Sequence, residues 1–295
     1  SVFNGENYAY ADYAEGIYVG YRYYETRWID NETNECDETA YKANVQYPFG
    51  YGLSYTEFEQ KITDFTDDGD TITLEVTVTN VGDTAGKDAV QIYYTAPYYL
   101  GGIEKSFVNL EDFGKTQILN PGESETISFT FKYEDMASYD YSGHGCYVLE
   151  HGDYEIKLMN NSHDLIDSRT VTVAKDVIYD ESNPRSTDEV AAVNQFDDVS
   201  YGNDVAYVSR ADWEGTLPTE RPANKNASAE LIEEIENQGL TEAQLAEETE
   251  DIVVANHGLT IEDVKGLDYD DPKWSELLEQ LSVDEMVNLI ANGGY

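Results

Sequence analysis

The chain has 295 residues and is 40% hydrophobic, enough for a packed core, and it holds no run of eighteen apolar residues that could span a membrane. Its 60 acidic and 17 basic residues give a formal net charge of -43, a field that repels nucleic acid and anionic membranes and suits a neutral substrate. Cys36 and Cys146 stand far apart and in no CxxC pattern, which argues against a disulfide framework or a zinc site, and no cofactor motif is present.

In chain order, residues 8–28 are dense in tyrosine (Tyr8, Tyr10, Tyr13, Tyr18, Tyr21, Tyr23, Tyr24). A stretch this aromatic needs a partner surface, and the present chain is not expected to supply one. Residues 30–42 read as a polar surface loop. The run Tyr47-Pro48-Phe49-Gly50-Tyr51-Gly52-Leu53-Ser54-Tyr55-Thr56-Glu57-Phe58 reads as a junction. Pro48 fixes one φ, Gly50 and Gly52 permit unusual backbone angles or close approach, and four rings can pin a bend between two surfaces.

Residues 57–174 then read as an all-β sandwich. Ile72, Leu74, Val76 and Val78 alternate strictly with polar residues. Further strands are predicted at 89–94, 107–116, 126–131, 146–149, 154–158 and 169–173, with turns at Asn80-Val81-Gly82-Asp83 and Asn120-Pro121-Gly122-Glu123. Residues 146–149 and 154–158 are expected to form a hairpin about His151-Gly152-Asp153. About seven strands with turn signals at roughly ten-residue spacing is the pattern of an immunoglobulin-like sandwich.

Residues 191–197 and 207–213 are too apolar for a free tether and read as a strap lying along another domain. Beyond them the pattern turns helical. Ser228 caps a short helix over 229–238 that Gly239 ends, and Thr241-x-x-Gln244 opens a second, to about residue 255. Asp271 and Pro272 start a third, with Trp274, Leu277, Leu278 and Leu281 on one face. Ser282-x-x-Glu285 caps a fourth, carrying Met286, Leu289 and Ile290 and ended by Gly293.

These motifs carry a resemblance. The junction run, preceded by Glu15-Gly16-Ile17-Tyr18-Val19-Gly20-Tyr21-Arg22-Tyr23-Tyr24, resembles the segment of glycoside hydrolase family 3 that joins the α/β sandwich domain to the fibronectin type III-like domain. The runs from Val78 to Lys87, Gly102-Ile103-Glu104-Lys105-Ser106, Leu119-Asn120-Pro121-Gly122-Glu123-Ser124 and Met136-Ala137-Ser138-Tyr139-Asp140 are similar to landmarks of that domain, in order. The run from Trp274 to Ile290 resembles the opening of the family's (β/α)8 barrel. That order is the one found in permuted bacterial β-glucosidases. The resemblance implies a mainly β chain. Residues 1–55 would be the tail of the α/β sandwich domain and the junction. Residues 56–175 would be the fibronectin type III-like domain, 176–228 a strap, and 229–295 a helical segment opening the barrel. Both ends look cut, as in an internal piece of a longer protein.

The resemblance further implies a parent that hydrolyses terminal β-D-glucosyl residues with retention, acting on a β-glucoside or oligosaccharide and leaving the cell compartment open. Retention uses two carboxyl groups about 5–5.5 Å apart. In the family one is an Asp of the barrel and the other a Glu of the sandwich domain. Both fall outside this chain, so no catalytic, substrate-binding or metal residue is assigned, and the chain alone is expected to be inactive. Its partners would be the missing sandwich and barrel domains.

Other chemistries find no support. Glu247-Glu248-Thr249-Glu250-Asp251 reads as a solvated helix face. Ser142-Gly143-His144-Gly145 reads as a turn, Gly16 to Gly20 lacks a phosphate-loop pattern, and Asp135 to Asp140 lacks a calcium-loop spacing. His144, His151, His163 and His257 read as loop and surface histidines. The rival reading is a non-catalytic immunoglobulin-like module that binds a glycan or serves adhesion, since a sandwich alone does not fix function.

Overall fold

Ile72, Leu74, Val76 and Val78 are wholly buried in the computed structural model, while the threonines between them face outward. Each such side chain contributes roughly 1.5–3 kcal/mol on leaving water. The structure describes residues 13–193, 205–220, 226–236 and 253–292. Tyr8, Tyr10, Gly239, the predicted helix from Thr241, the acidic run 247–251, Gly293 and part of 191–197 lie outside the described residues. The chain divides into two compact units, Ser1–Ile235 and Glu236–Tyr295.

The first unit begins with two short helices, α1 (Tyr21–Arg27) and α2 (Glu38–Asn44). Strands β1 (Phe58–Asp67), β2 (Thr71–Asn80), β3 (Ala89–Thr95), β4 (Asn109–Lys115) and β5 (Ser124–Lys132) follow. After them come β6 (Ser138–Asp140), β7 (Cys146–Leu149), β8 (Gly152–Met159), β9 (Leu165–Val173) and β10 (Val177–Tyr179). A sheet ordered β1-β2-β5 packs on one ordered β4-β3-β8-β9, and a small third sheet is ordered β10-β7-β6. The inner faces form one apolar core that includes Ile72, Leu74, Ile92, Phe129, Tyr154, Ile156, Leu158 and Val171. On the outer face of the first sheet, hydroxyl pairs run across the strands, with Thr77 to Thr126 at 2.9 Å and Thr79 to Ser124 at 2.8 Å. The fold is thus mainly β, a seven-stranded sandwich.

The strands differ from the sequence reading at β1, at the short β6 and β10, which were not expected, and in the pairing of β7. Phe58–Asp67 was not expected as a strand. A bulge between Ile62 and Asp64 shifts its register, so that Ile62 and Phe65, three apart, both meet the core and the period of two is lost. The expected hairpin of 146–149 with 154–158 does not form. β8 is bonded on both sides, to β3 and β9, so it has no free edge, and β7 pairs with β6 and β10 instead.

Both turns keep the predicted chemistry. The buried Asn80 side chain donates to Thr84 O and Leu119 O and accepts from Thr56 Oγ1 and Gly82 N. Gly122 has φ +82 after Pro121, a left-handed angle that only glycine takes freely.

The tyrosine-rich stretch finds more cover than anticipated. Tyr18 is 3% exposed, and Tyr21 stacks on Phe49 at 4.6 Å and meets Tyr93 edge-on. The sandwich itself supplies this surface, with Tyr21 Oη accepting from Leu110 N and Thr26 Oγ1 from Phe107 N. Tyr13 stays largely exposed. At the junction, Phe49 O accepts from Ser162 N, and Gly50 lies against Gln91 so closely that a Cβ there would come within 2.1 Å of Oε1. Leu53 and Tyr55 point to solvent. Residues further on lie over the sandwich. Arg185 stacks on Tyr147 at 3.8 Å, and Val208 N donates to Ala14 O.

Helix α3 (Ala229–Glu236) starts directly after Ser228, as expected, and in the second unit α4 (Ile261–Val264), α5 (Lys273–Leu278) and α6 (Val283–Asn292) are short. Ser282 N and Oγ both donate to Glu285 Oε2, the capping box expected there. Gln280 exchanges hydrogen bonds with the backbone of Leu259. Leu278, Val287, Leu289 and Ile290 of this unit are exposed. No helix among the described residues is long and apolar enough to cross a membrane.

Candidate functional site

Several of the charged residues that the fold buries, Glu25, Glu104, Lys105 and Arg210, sit where the N-terminal segment and residues 205–213 meet the sandwich. The loop before β4 carries Glu104 and Lys105, 8% and 2% exposed. Glu104 accepts from Tyr18 Oη, Ser209 Oγ and, at 3.0 Å, Arg210 N. Arg210, 2% exposed, donates from Nε to Asn31 Oδ1 and from Nη1 to Lys105 O, and its guanidinium lies over the Tyr98 ring at 4.1 Å. Lys105 donates to Pro97 O at 2.8 Å and pairs with Glu150. Burial pushes the Tyr18 hydroxyl well up, with Glu104 adding to it. Burial also pulls Lys105 and Arg210 down, partly offset by their acidic neighbours. One cluster thereby ties together residues 18, 31, 104–105, 150 and 209–210.

A second cluster lies on the turn between β8 and β9. Glu25 of α1, 5% exposed, accepts from Tyr41 Oη and Ser162 Oγ, each at 2.6 Å. Its other oxygen lies 2.9 Å from His163 Nδ1, and His163 Nε2 lies 3.0 Å from Glu38 Oε1. The Tyr41 and His163 rings are parallel, 3.8 Å apart. The hydrogen bond to Glu25 is the main reason that His163 sits above its ordinary value. The sequence reading of His163 as a surface histidine is therefore corrected, while His144 and His151 are about half exposed. Cys36 borders the same cavity, of about 180 Å³, and burial pushes its thiol up to about 11. Cys36 and Cys146 are both free thiols.

These clusters fasten segments together. A glycosidase site needs paired carboxyls across a cleft, one with a raised pKa. A groove of about 660 Å³ along β1 and the start of β9 is lined in part by Glu59, Asp88, Asp164 and Asp167. Asp88 is taken up by Gln60, Asp164 by Asn161 and Asp167 by Arg169, which holds Asp167 below the usual range. Among the described residues the carboxyl that burial pushes up, to about 7, is Glu111 on β4, and it lines none of these cavities. Asp140 accepts from the amides of Ser142, Gly143 and His144, which makes 142–145 a carboxylate-centred turn. No group of three His, Cys, Asp or Glu side chains is gathered as a metal site among the described residues.

The sequence landmark Gly102 to Ser106 marks one cluster without revealing it. The partners of Glu104 lie 86 and 106 positions away, beyond any local pattern.

Comparison with known proteins supplies the remaining observations. Residues 88–162 match the model of a fibronectin type III-like domain. Beta-glucosidase A of Butyrivibrio fibrisolvens is 38% identical over 192 residues, covering 58% of this chain and 21% of that protein. The beta-glucosidase of Ruminococcus albus is 43% identical over 132 residues, 44% of this chain and 12% of that one. The crystal structure of a beta-glucosidase from Paenibacillus barengoltzii aligns with a TM-score of 0.48 and 38% identity, over 56% of this chain and 18% of that one. The chain thus spans about a fifth or less of the length of these relatives.

Proposed function

We propose that this chain, whose residues 88–162 match a fibronectin type III-like domain and whose matched relatives are beta-glucosidases, serves as the structural portion of a family 3 retaining β-glucosidase. Its parent would remove terminal β-D-glucosyl residues. Residues 56–175 would be the buttress, 1–55 the edge of a catalytic α/β sandwich domain, 176–228 a strap, and 229–295 the approach to a barrel. The nucleophile and the acid/base would sit on those flanking domains. The observation that carries this reading is the reach of the relatives' similarity. It extends over 192 residues, well past the 88–162 domain. An adhesion module needs only the sandwich. Supporting it, the Glu104 and Glu25 clusters fasten the N-terminal segment and the strap to the sandwich through buried charge. Buried ion pairs are weak sources of net stability, but they penalise wrong geometry.

The test is release of chromophore from an aryl β-glucoside. The 295-residue chain is expected to give none above a buffer blank. The same polypeptide extended by a few hundred residues at each end is expected to turn over. Turnover by the chain alone, abolished by one carboxylate-to-amide change within it, would overturn the proposal.

A further inference from the structure

His163 is half-buried, and both of its ring nitrogens face carboxylates. Nδ1 is 2.9 Å from Glu25 on α1 and Nε2 is 3.0 Å from Glu38 on α2. A neutral imidazole has one N–H and one lone pair, so one of these contacts would then set lone pair against carboxylate. Both are hydrogen bonds only in the imidazolium. We propose that His163 is a proton-operated latch that clamps α1 and α2 onto the β8–β9 turn when charged and loosens the first turn of α2 when neutral.

The surroundings decide which side loosens. From α1, Glu25 faces the ring, and its other oxygen stays bonded to Tyr41 and Ser162 whatever His163 does. From α2 come Glu38, Tyr41 stacked on the ring, and Lys42, which is 2.7 Å from Glu38 and competes for it. Asp37 caps α2 through the amides of Thr39 and Ala40, and the thiol of Cys36 borders the cavity. From β8, Lys157 lines the same cavity and pairs with Glu155. On the turn itself Asp164 is held by Asn161. Loss of the proton therefore leaves α1 anchored and Glu38 with an exposed lysine alone.

The direction with pH follows. Contact with Glu25 raises His163 above its ordinary 6.5 in the folded chain. A raised folded value means that the latch's contribution is fully present below about 6.5 and is lost as pH rises through the folded value. On the acid side Lys42, and then His163, hold Glu38 below its usual value. Glu38 consequently stays ionised below the ordinary titration range of a glutamate. The inference uses contacts within this chain and stands whether or not the glucosidase reading does.

The experiment is an NMR titration of the His163 Cε1 proton in the 295-residue chain, with hydrogen-exchange protection of amides 38–44, corrected for intrinsic rates, from pH 5.5 to 9. A midpoint above 6.5 is expected. Protection at 38–44 should fall by up to about tenfold per unit of that elevation, with amides 74–78 unchanged. His163→Gln should remove the pH dependence, and Glu38→Gln should lower the His163 midpoint. A midpoint at or below 6.5, or flat wild-type protection at 38–44, would overturn the latch. Should His163→Gln fail to fold, the wild-type titration and Glu38→Gln decide alone.

Discussion

Glu111 shows how much a single side chain can hold that its sequence context hides. It sits on β4 between Leu110 and Asp112, where a half-buried strand carboxyl looks like any solvated one. Burial first, then Asp135 and Asp112, push it up to about 7. A carboxyl raised in the folded state keeps its proton longer there than in the unfolded chain. Stability is thus fully present below the unfolded value and drains away as pH climbs from about 4.3 to 7. Glu111→Gln should therefore stabilise the chain at pH 8 by about 1–2 kcal/mol, a figure reduced for partial solvent screening, and change little at pH 4. Urea melts at the two pH values check this; equal effects at both would refute the burial account. Glu104, Lys105 and Arg210 were equally opaque in sequence. Charged residues are seldom buried, and the partners that permit it here lie scores of positions away along the chain.

Elements were legible where one interaction repeats. β2 alternates without interruption, and its four apolar side chains are buried as read. The turns at Asn80 and Gly122 were legible because their residue types answer a local backbone need. β1 was not, since a bulge shifts its period; β7 was legible as a strand, but its partners were not, since pairing depends on which edges remain free. Docking of the strap was expected in outline, but the anchor was not. Arg210 holds 205–213 through Asn31, Lys105 O and Tyr98. Arg210→Ala strips the guanidinium from Asn31 Oδ1, Lys105 O and the Tyr98 ring, and leaving such buried acceptors unmet costs about 1–3 kcal/mol. Limited proteolysis under native conditions should then cut within 205–217 in the variant and not in the wild type, leaving β2 to β9 intact. Identical cleavage patterns would show that the strap is held by something else.

At the scale of the whole molecule, the buried charges Glu25, Glu104, Lys105 and Arg210 join segments that are distant in sequence. A chain of formal charge -43 has no shortage of acidic groups; catalysis by a retaining glycosidase requires instead that two be oriented about one sugar. Misplacing such a group by ~1 Å costs on the order of a hundredfold. The sandwich and the family resemblance were readable because strand alternation and turn motifs recur in order along the chain. The docking of 13–47 on the sandwich was not, because its aromatic residues state a need for cover without naming what supplies it. The central claim is that the reacting carboxylates belong to other segments of the parent. Its most direct test is covalent trapping with a 2-deoxy-2-fluoro-β-glucosyl fluoride, which arrests a retaining enzyme as its glycosyl ester. Intact mass spectrometry of the treated 295-residue chain should show no added glycosyl group. A single stoichiometric adduct, mapped to one Asp or Glu between residues 1 and 295, would contradict the account.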